Sequence, residues 1–278
     1  MKIGFSPCPN DTFIFDALIN KNLQPEIMAE AFLADVDELN KNAIVGKLEV
    51  TKLSFGILAA VSEQYQVLDA GSALGFGCGP LLISRESIEA TAEKINPLKI
   101  AIPGKSTTAN LLLSMAFPDA LSKEVYVFSD IEEAVLSGKV DAGLIIHENR
   151  FTYQEKGLHK IIDLGAYWEE RTGLPIPLGC IAVKRSLPEI EKRAIGAAIR
   201  KSVETAFANP EGTMDYVAAH AQEMQEEVMK QHIALYVNEF SISLGEKGRA
   251  AINRLMAEGE KAGLLPSIFQ PLFVEPQA

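Results

Sequence analysis

The 278-residue chain is 47% hydrophobic and 23% charged, the balance of an ordinary globular protein that can bury a core without disulfides or metals. Its formal net charge of −11 is spread along the sequence, which excludes the concentrated basic face that nucleic acid requires but not a small anionic ligand held by local donors. The opening MKIGFSPCPNDTF lacks the unbroken apolar run of a signal peptide, and no stretch reaches the ~18–20 apolar residues of a membrane span, so a cytoplasmic protein with no membrane partner is expected, as monomer or homodimer.

Short strand-like runs alternate with helix-like runs over the first two thirds, the pattern of an α/β protein with mostly parallel sheets. A strand over 2–6 leads to a helix over 12–19, and a strand over 27–32 to a helix over 36–45 with Asp35 as its cap. Strands follow over 52–58, 81–84 and 99–102, then a helix over 107–116 capped by Ser106. A strand over 125–128 precedes a helix over 131–136 capped by Asp130, and strands over 142–147, 160–164 and 180–184 complete the alternation. Beyond Pro188 the spacing turns helical, over 189–208, 210–221, 226–240 and 246–262, a layer that covers and supports the sheets.

Residues 43–55, AIVGKLEVTKLSF, and 135–147, VLSGKVDAGLIIH, run the same course of helix end, Gly-Lys and strand. Glycine recurs at helix ends for its own reasons, yet a duplicated unit predicts two lobes with a ligand cleft beyond the strand ends. Lys52–Ser54 and residues 145–147 would then face one another, with residues 1–97 and 177–278 in the first lobe and 98–176 in the second.

Among four histidines, His147 stands apart because it ends an apolar strand-like run, where α/β proteins place catalytic groups. The competing reading is a structural histidine bonded to a nearby carbonyl. His159 falls in a loop, and His220 and His232 read as surface or helix-face residues. No HExxH, paired histidines or CxxC accompanies them, so no metal is expected, and Cys8, Cys78 and Cys180 read as small buried hydrophobes.

Gly104-Lys105-Ser106-Thr107-Thr108 fails as a Walker loop because Lys99 stands where a glycine is needed. A glycine turn opening a helix still offers amides and hydroxyls to a carboxylate, although plain capping uses the same residues. Ser6-Pro7-Cys8-Pro9-Asn10-Asp11 is a second rigid polar loop, residues 75–80 form a glycine-rich third, and Phe55 or Phe76 could wall an aromatic ligand or simply join the core.

SPCPNDTFIFDAL (6–18) and GLIIHENRFTY (143–153) resemble the 1,4-dihydroxy-6-naphthoate synthases of the futalosine route to menaquinone. So do TKLSFG (51–56), GKSTTANLLL (104–113), DLGAYWEERTGLPIPLG (163–179) and PLFV (271–274), which extend the likeness over nearly the whole chain. The resemblance implies a type II periplasmic-binding-protein-like fold acting as a lyase without cofactor or metal. It implies conversion of cyclic dehypoxanthinyl futalosine to 1,4-dihydroxy-6-naphthoate with release of a three-carbon fragment, dihydroxyacetone. It also implies His147 as proton acceptor, and Lys52, Leu53, Ser54, Thr108 and Ala109 as contacts to a small carboxylate substrate. Two neighbours of this reading are a chorismate-dehydrating sister enzyme, against which the His147 segment counts, and a solute-binding protein, against which the missing leader counts.

Overall fold

The computed structural model describes residues 1–21, 23, 27–147, 149–221 and 225–275. Its strands form two mixed sheets. The first holds β1 (Lys2–Phe5), β2 (Glu30–Leu33), β3 (Val50–Ser54), β4 (Tyr65–Val67), β5 (Ala73–Gly75) and β11 (Ile176–Lys184), ordered β2-β1-β3-β11-β4 with β5 also on β11. The second holds β6 (Leu81–Ser84), β7 (Ile100–Ile102), β8 (Lys123–Val125), β9 (Ala142–Ile145) and β10 (His159–Asp163), ordered β10-β6-β9-β7-β8.

Parallel pairing holds where helices connect strands, in β1 with β2 and β3 and in β7 with β8 and β9. Strands next to the crossings between sheets enter antiparallel, β6 against β9 and β11 against β3, which is why the sheets are mixed and not mostly parallel. The first crossing lies between β5 and β6, ahead of the expected boundary at residue 97, because β6 already pairs with β9 and β10. Its loop passes so close to the start of the 164–172 helix that a Cβ at Gly79 would run into the Gly165 backbone.

The helices are α1 (Pro9–Asn20), α2 (Val36–Ile44), α3 (Phe55–Val61), α4 (Ala92–Ile95), α5 (Thr108–Ala116), α6 (Ile131–Leu136), α7 (Asn149–Thr152) and α8 (Leu164–Thr172), then α9 (Glu189–Ala208), α10 (Glu211–His220), α11 (Glu226–Tyr236), α12 (Glu239–Ile242) and α13 (Gly245–Lys261). The strand expected over 52–58 stops at Ser54, where α3 begins. Asp35 caps α2 as expected, but Thr107 and not Ser106 caps α5, and the Asp130 side chain makes no cap bond because a 3-10 turn leads into α6.

The two echoing segments fold alike. Gly46 (φ 62°) and Gly138 (φ 74°) are left-handed, with amide bonds to the carbonyls three residues back, Ala43 and Val135. Lys47 and Lys139 then bond five back, to Asn42 and Ala134, the Schellman pattern that turns each helix end into its strand.

One core cluster joins Leu53 and Cys180 of the first sheet to Leu82, Ile100 and Ala142 of the second, and another packs α1 and α9 on the outer side of the first sheet. Gly79→Ala should lower stability by about 1–3 kcal/mol, the usual cost of overpacking. A urea midpoint that falls with an unchanged slope would register it, and an unchanged midpoint would contradict this packing.

Candidate active site

A cavity with about 660 Å³ of space free of protein atoms, its mouth included, opens between the sheets. Lys52, Ser54, Thr108, Ala109 and His147 all line it, so the two strand ends predicted to meet do meet. Leu53 does not, because alternation along β3 sends its side chain into the core and leaves only its backbone near the cleft. Glu148 lies outside the described residues.

The polar floor begins in the loop between β1 and α1. Pro9 occupies the first turn of α1, where its missing N–H costs nothing, and Asp11 sits in the same turn, where a carboxylate is favoured. Asp11 Oδ2 accepts from the Ser6 amide at 3.1 Å and the Ser6 hydroxyl at 2.7 Å. Asp11 Oδ1 accepts from Asn10 Nδ2 at 2.8 Å and from Lys52 Nζ at 2.6 Å. This ion pair is almost wholly buried, with side-chain exposures of 5% for Lys52 and 2% for Asp11. Ser54 is held by Asn40, which accepts from the Ser54 amide at 2.9 Å and donates to its hydroxyl at 3.0 Å.

His147 follows β9 at φ 59°, a conformation that no other non-glycine residue adopts among the described ones. Such a backbone costs about 1–3 kcal/mol and persists only when its surroundings hold it. Asn149 donates to the buried Glu132 at 2.5 Å on one side, and Arg150 donates to the Gly79 carbonyl and pairs with Asp163 at 3.0 Å on the other. The imidazole packs on Phe128 with centroids 4.7 Å apart, and part of its surface opens to the cavity. Burial pushes its pKa from the ordinary 6.5 down to about 4, against the pull of Asp11 and with help from the Lys52 ammonium. At neutral pH the ring is therefore uncharged and can accept a proton.

His232 is the residue that sequence reasoning missed. It is 1% exposed, lines the cavity, and lies nearly parallel to His147 with centroids 6.1 Å apart. Its helical surroundings read as a polar face, whereas α11 turns that face onto α1. The apolar spacing of Val228, Met229, His232, Ile233 and Tyr236 was the available signal, since it puts His232 on the buried stripe. Burial first, then His147 and Lys52, hold its pKa well below 6.5. His220 bonds the Tyr216 carbonyl in its own helix, and His159 is an exposed residue of β10, not of a loop.

At the opposite wall, α5 points its N-terminus at the cavity. The amides of Thr108 and Ala109, first in the helix, have no intrahelical acceptor and are oriented for an anion. The Thr108 hydroxyl is engaged elsewhere, accepting from the Gly56 amide at 3.1 Å and donating to the Leu178 carbonyl at 2.7 Å, which ties α5 to the first sheet. Phe55 is core and Phe76 is a surface residue under Lys247, so neither walls the cavity. Cys8, Cys78 and Cys180 are buried outside any disulfide, and burial raises Cys78 and Cys180 to about 12, too high for useful thiolate. Among the described residues no group of three or more His, Cys, Asp or Glu could hold a metal, and no helix is long and apolar enough to cross a membrane.

Two sheets flanking a ligand-sized cleft, with the chain crossing twice, define the periplasmic-binding-protein-like class. Solved structures agree on that fold. The alkanesulfonate-binding protein of Xanthomonas axonopodis superposes with TM-score 0.68 at 14% identity, covering 96% of this chain and 94% of that one. A protein of Archaeoglobus fulgidus reaches TM-score 0.90 at 32% identity, covering 95% and 98%.

The family model described as menaquinone biosynthesis matches residues 1–261. The 1,4-dihydroxy-6-naphthoate synthase of Thermus thermophilus is 47% identical over 274 residues, 99% of each chain, and that of Streptomyces coelicolor is 45% identical over 273, covering 96% and 95%. The chain belongs to this menaquinone-biosynthesis family.

His147, neutral when folded, is uncharged above its folded pKa of about 4, while the unfolded chain protonates near 6.5. Between those values the unfolded state binds more protons, so stability falls as pH drops through the window. For His147 alone the fall from pH 6.5 to 4 amounts to about 3 kcal/mol. Urea midpoints measured across that range should decline less steeply in His147→Ala; an equally steep decline would contradict a buried neutral ring.

Proposed function

We propose that this protein is a lyase that converts cyclic dehypoxanthinyl futalosine to 1,4-dihydroxy-6-naphthoate, releasing dihydroxyacetone, in the cytoplasmic futalosine route to menaquinone. The observation that carries the reading is a neutral His147 opening onto the cavity between the sheets, beside the Lys52 ammonium and opposite the free amides of α5.

In this reading the substrate carboxylate lies at the start of α5, against the amides of Thr108 and Ala109, with the Ser54 hydroxyl as a further donor. That geometry brings the non-aromatic ring and its sugar-derived arm toward His147. The imidazole removes a proton from that ring or from the arm's hydroxyl, and carbon–carbon cleavage follows as the bicyclic ring becomes aromatic. Oxygen that gains negative charge in this step is stabilised by Lys52. The imidazolium formed on His147 has Asp11 as its counter-charge. General-base removal supplies about 10²–10⁴-fold, and orientation in a dry cleft the remainder.

Purified protein incubated with cyclic dehypoxanthinyl futalosine, and separately with chorismate, should yield the naphthoate product from the first alone by mass spectrometry. His147→Ala and His147→Asn should each lower kcat by about 10²-fold or more while still binding product, because an amide keeps a hydrogen bond but cannot accept a proton. Retention of more than about a tenth of the wild-type kcat in either would place the base elsewhere. The wild-type kcat/KM should stay level on acidification from neutral pH and fall only as pH nears the His147 value of about 4.

A further inference from the structure

The chemistry above leaves a second buried histidine and a buried asparagine on the cavity floor without a role. His232 Nε2 lies 2.9 Å from Asn10 Oδ1. Which way the Asn10 amide faces is evident at its other end, where Nδ2 donates to Asp11 Oδ1 at 2.8 Å. Its oxygen must therefore accept, so the proton of the neutral His232 ring sits on Nε2. A directed chain results, from His232 to Asn10 to Asp11, with Lys52 bonded to the same carboxylate oxygen. Tyr236, one turn further along α11, packs on the His232 ring with centroids 4.6 Å apart and holds its plane.

We propose that His232 is a positioning residue of this site, whose Nε2–H fixes Asn10 and Asp11 and thereby holds the Lys52 ammonium where the substrate's negative charge develops. The proposal rests on the function proposed above. Its physical basis is the choice between two amide orientations. If Asn10 flipped, its oxygen would face the Asp11 carboxylate, two acceptors in repulsion, and Asp11 would turn away. Lys52 would follow, since among the described residues its other hydrogen bond is a long one of 3.5 Å to the Gly71 carbonyl. Donation from His232 selects the orientation in which every member of the chain is satisfied. The fixed point comes from α11, so the C-terminal helical layer completes the site as well as covering the sheet.

His232→Leu and His232→Gln separate this role from others, because Gln keeps an N–H at nearly the same reach but cannot titrate. His232→Leu should lower kcat by about 10²-fold with KM changed less than about threefold, the signature of a misplaced transition-state contact. His232→Gln should recover most of that loss and keep the wild-type shape of the kcat/KM pH profile. A readout without substrate is acylation of Lys52 by acetic anhydride, followed by mass spectrometry, which should speed up in His232→Leu and not in His232→Gln. Asn10→Ala, which cuts the chain at its middle, should speed Lys52 acylation as His232→Leu does, and stands in if the Leu variant does not fold.

A Gln variant as impaired as Leu would overturn the proposal, because the imidazole itself would then take part. Unchanged Lys52 acylation in both His232→Leu and Asn10→Ala would overturn it too. If the wild type fails to turn over cyclic dehypoxanthinyl futalosine, the proposed reaction falls, while the acylation rates still judge the positioning chain.

Discussion

Lys52 and Asp11 meet at 2.6 Å beneath the cavity, with almost no solvent on either. Burying two such ions costs several kcal/mol each before mutual attraction and hydrogen bonds offset it, so the pair is poorly explained as a source of stability. It persists because the surrounding backbone is committed to it. Strand β1 ends so that Ser6 gives both its amide and hydroxyl to Asp11, and α1 starts so that Asp11 falls in its first turn. Strand β3 aims Lys52 inward, and α11 locks Asn10 from behind. Four elements converge on one carboxylate, and the rest of the site is arranged around the charge they hold.

Burial, with a smaller contribution from Lys52, explains the state of the two histidines. Desolvation makes protonating either imidazole costly and the Lys52 ammonium adds to that cost, so both stay neutral through the physiological range. A binding protein gains nothing from an uncharged imidazole held in a strained backbone turn. A proton acceptor does, provided the turn is rigid, and the clasps at Asn149 and Arg150 make it so.

Much of this was legible in the sequence because it rests on local rules. The helix–glycine–strand echo marked Lys52, Ser54 and His147 as facing groups, since a left-handed glycine after a helix dictates the path of the next strand. The helices beyond Pro188 followed from their apolar spacing, which the bounds of α9 reproduce residue for residue. Where local patterns were silent, long-range packing decided. The first crossing was placed late because only pairing with β9 and β10 reveals which sheet β6 joins. The segment 52–58 read as one apolar strand because periodicity cannot distinguish a buried strand from the buried helix α3 that continues it. His232 looked like a surface residue because its partner, Asn10, lies 222 positions away.

The Thr108 hydroxyl shows how a residue can be placed correctly and its role still be set by the fold. The sequence around it marks an anion-binding helix start, and its amide is placed to serve as one. Its hydroxyl instead spans the cleft, holding the Gly56 amide and the Leu178 carbonyl at once. Gly56 itself packs so tightly that a Cβ there would stand 2.6 Å from the Thr107 carbonyl, closer than real contacts allow. The helix that would grip the carboxylate is thus the same helix that joins the two sheets. One element would serve both the proposed carboxylate site and the join between the sheets, with Lys52 and His147 lining the same cavity.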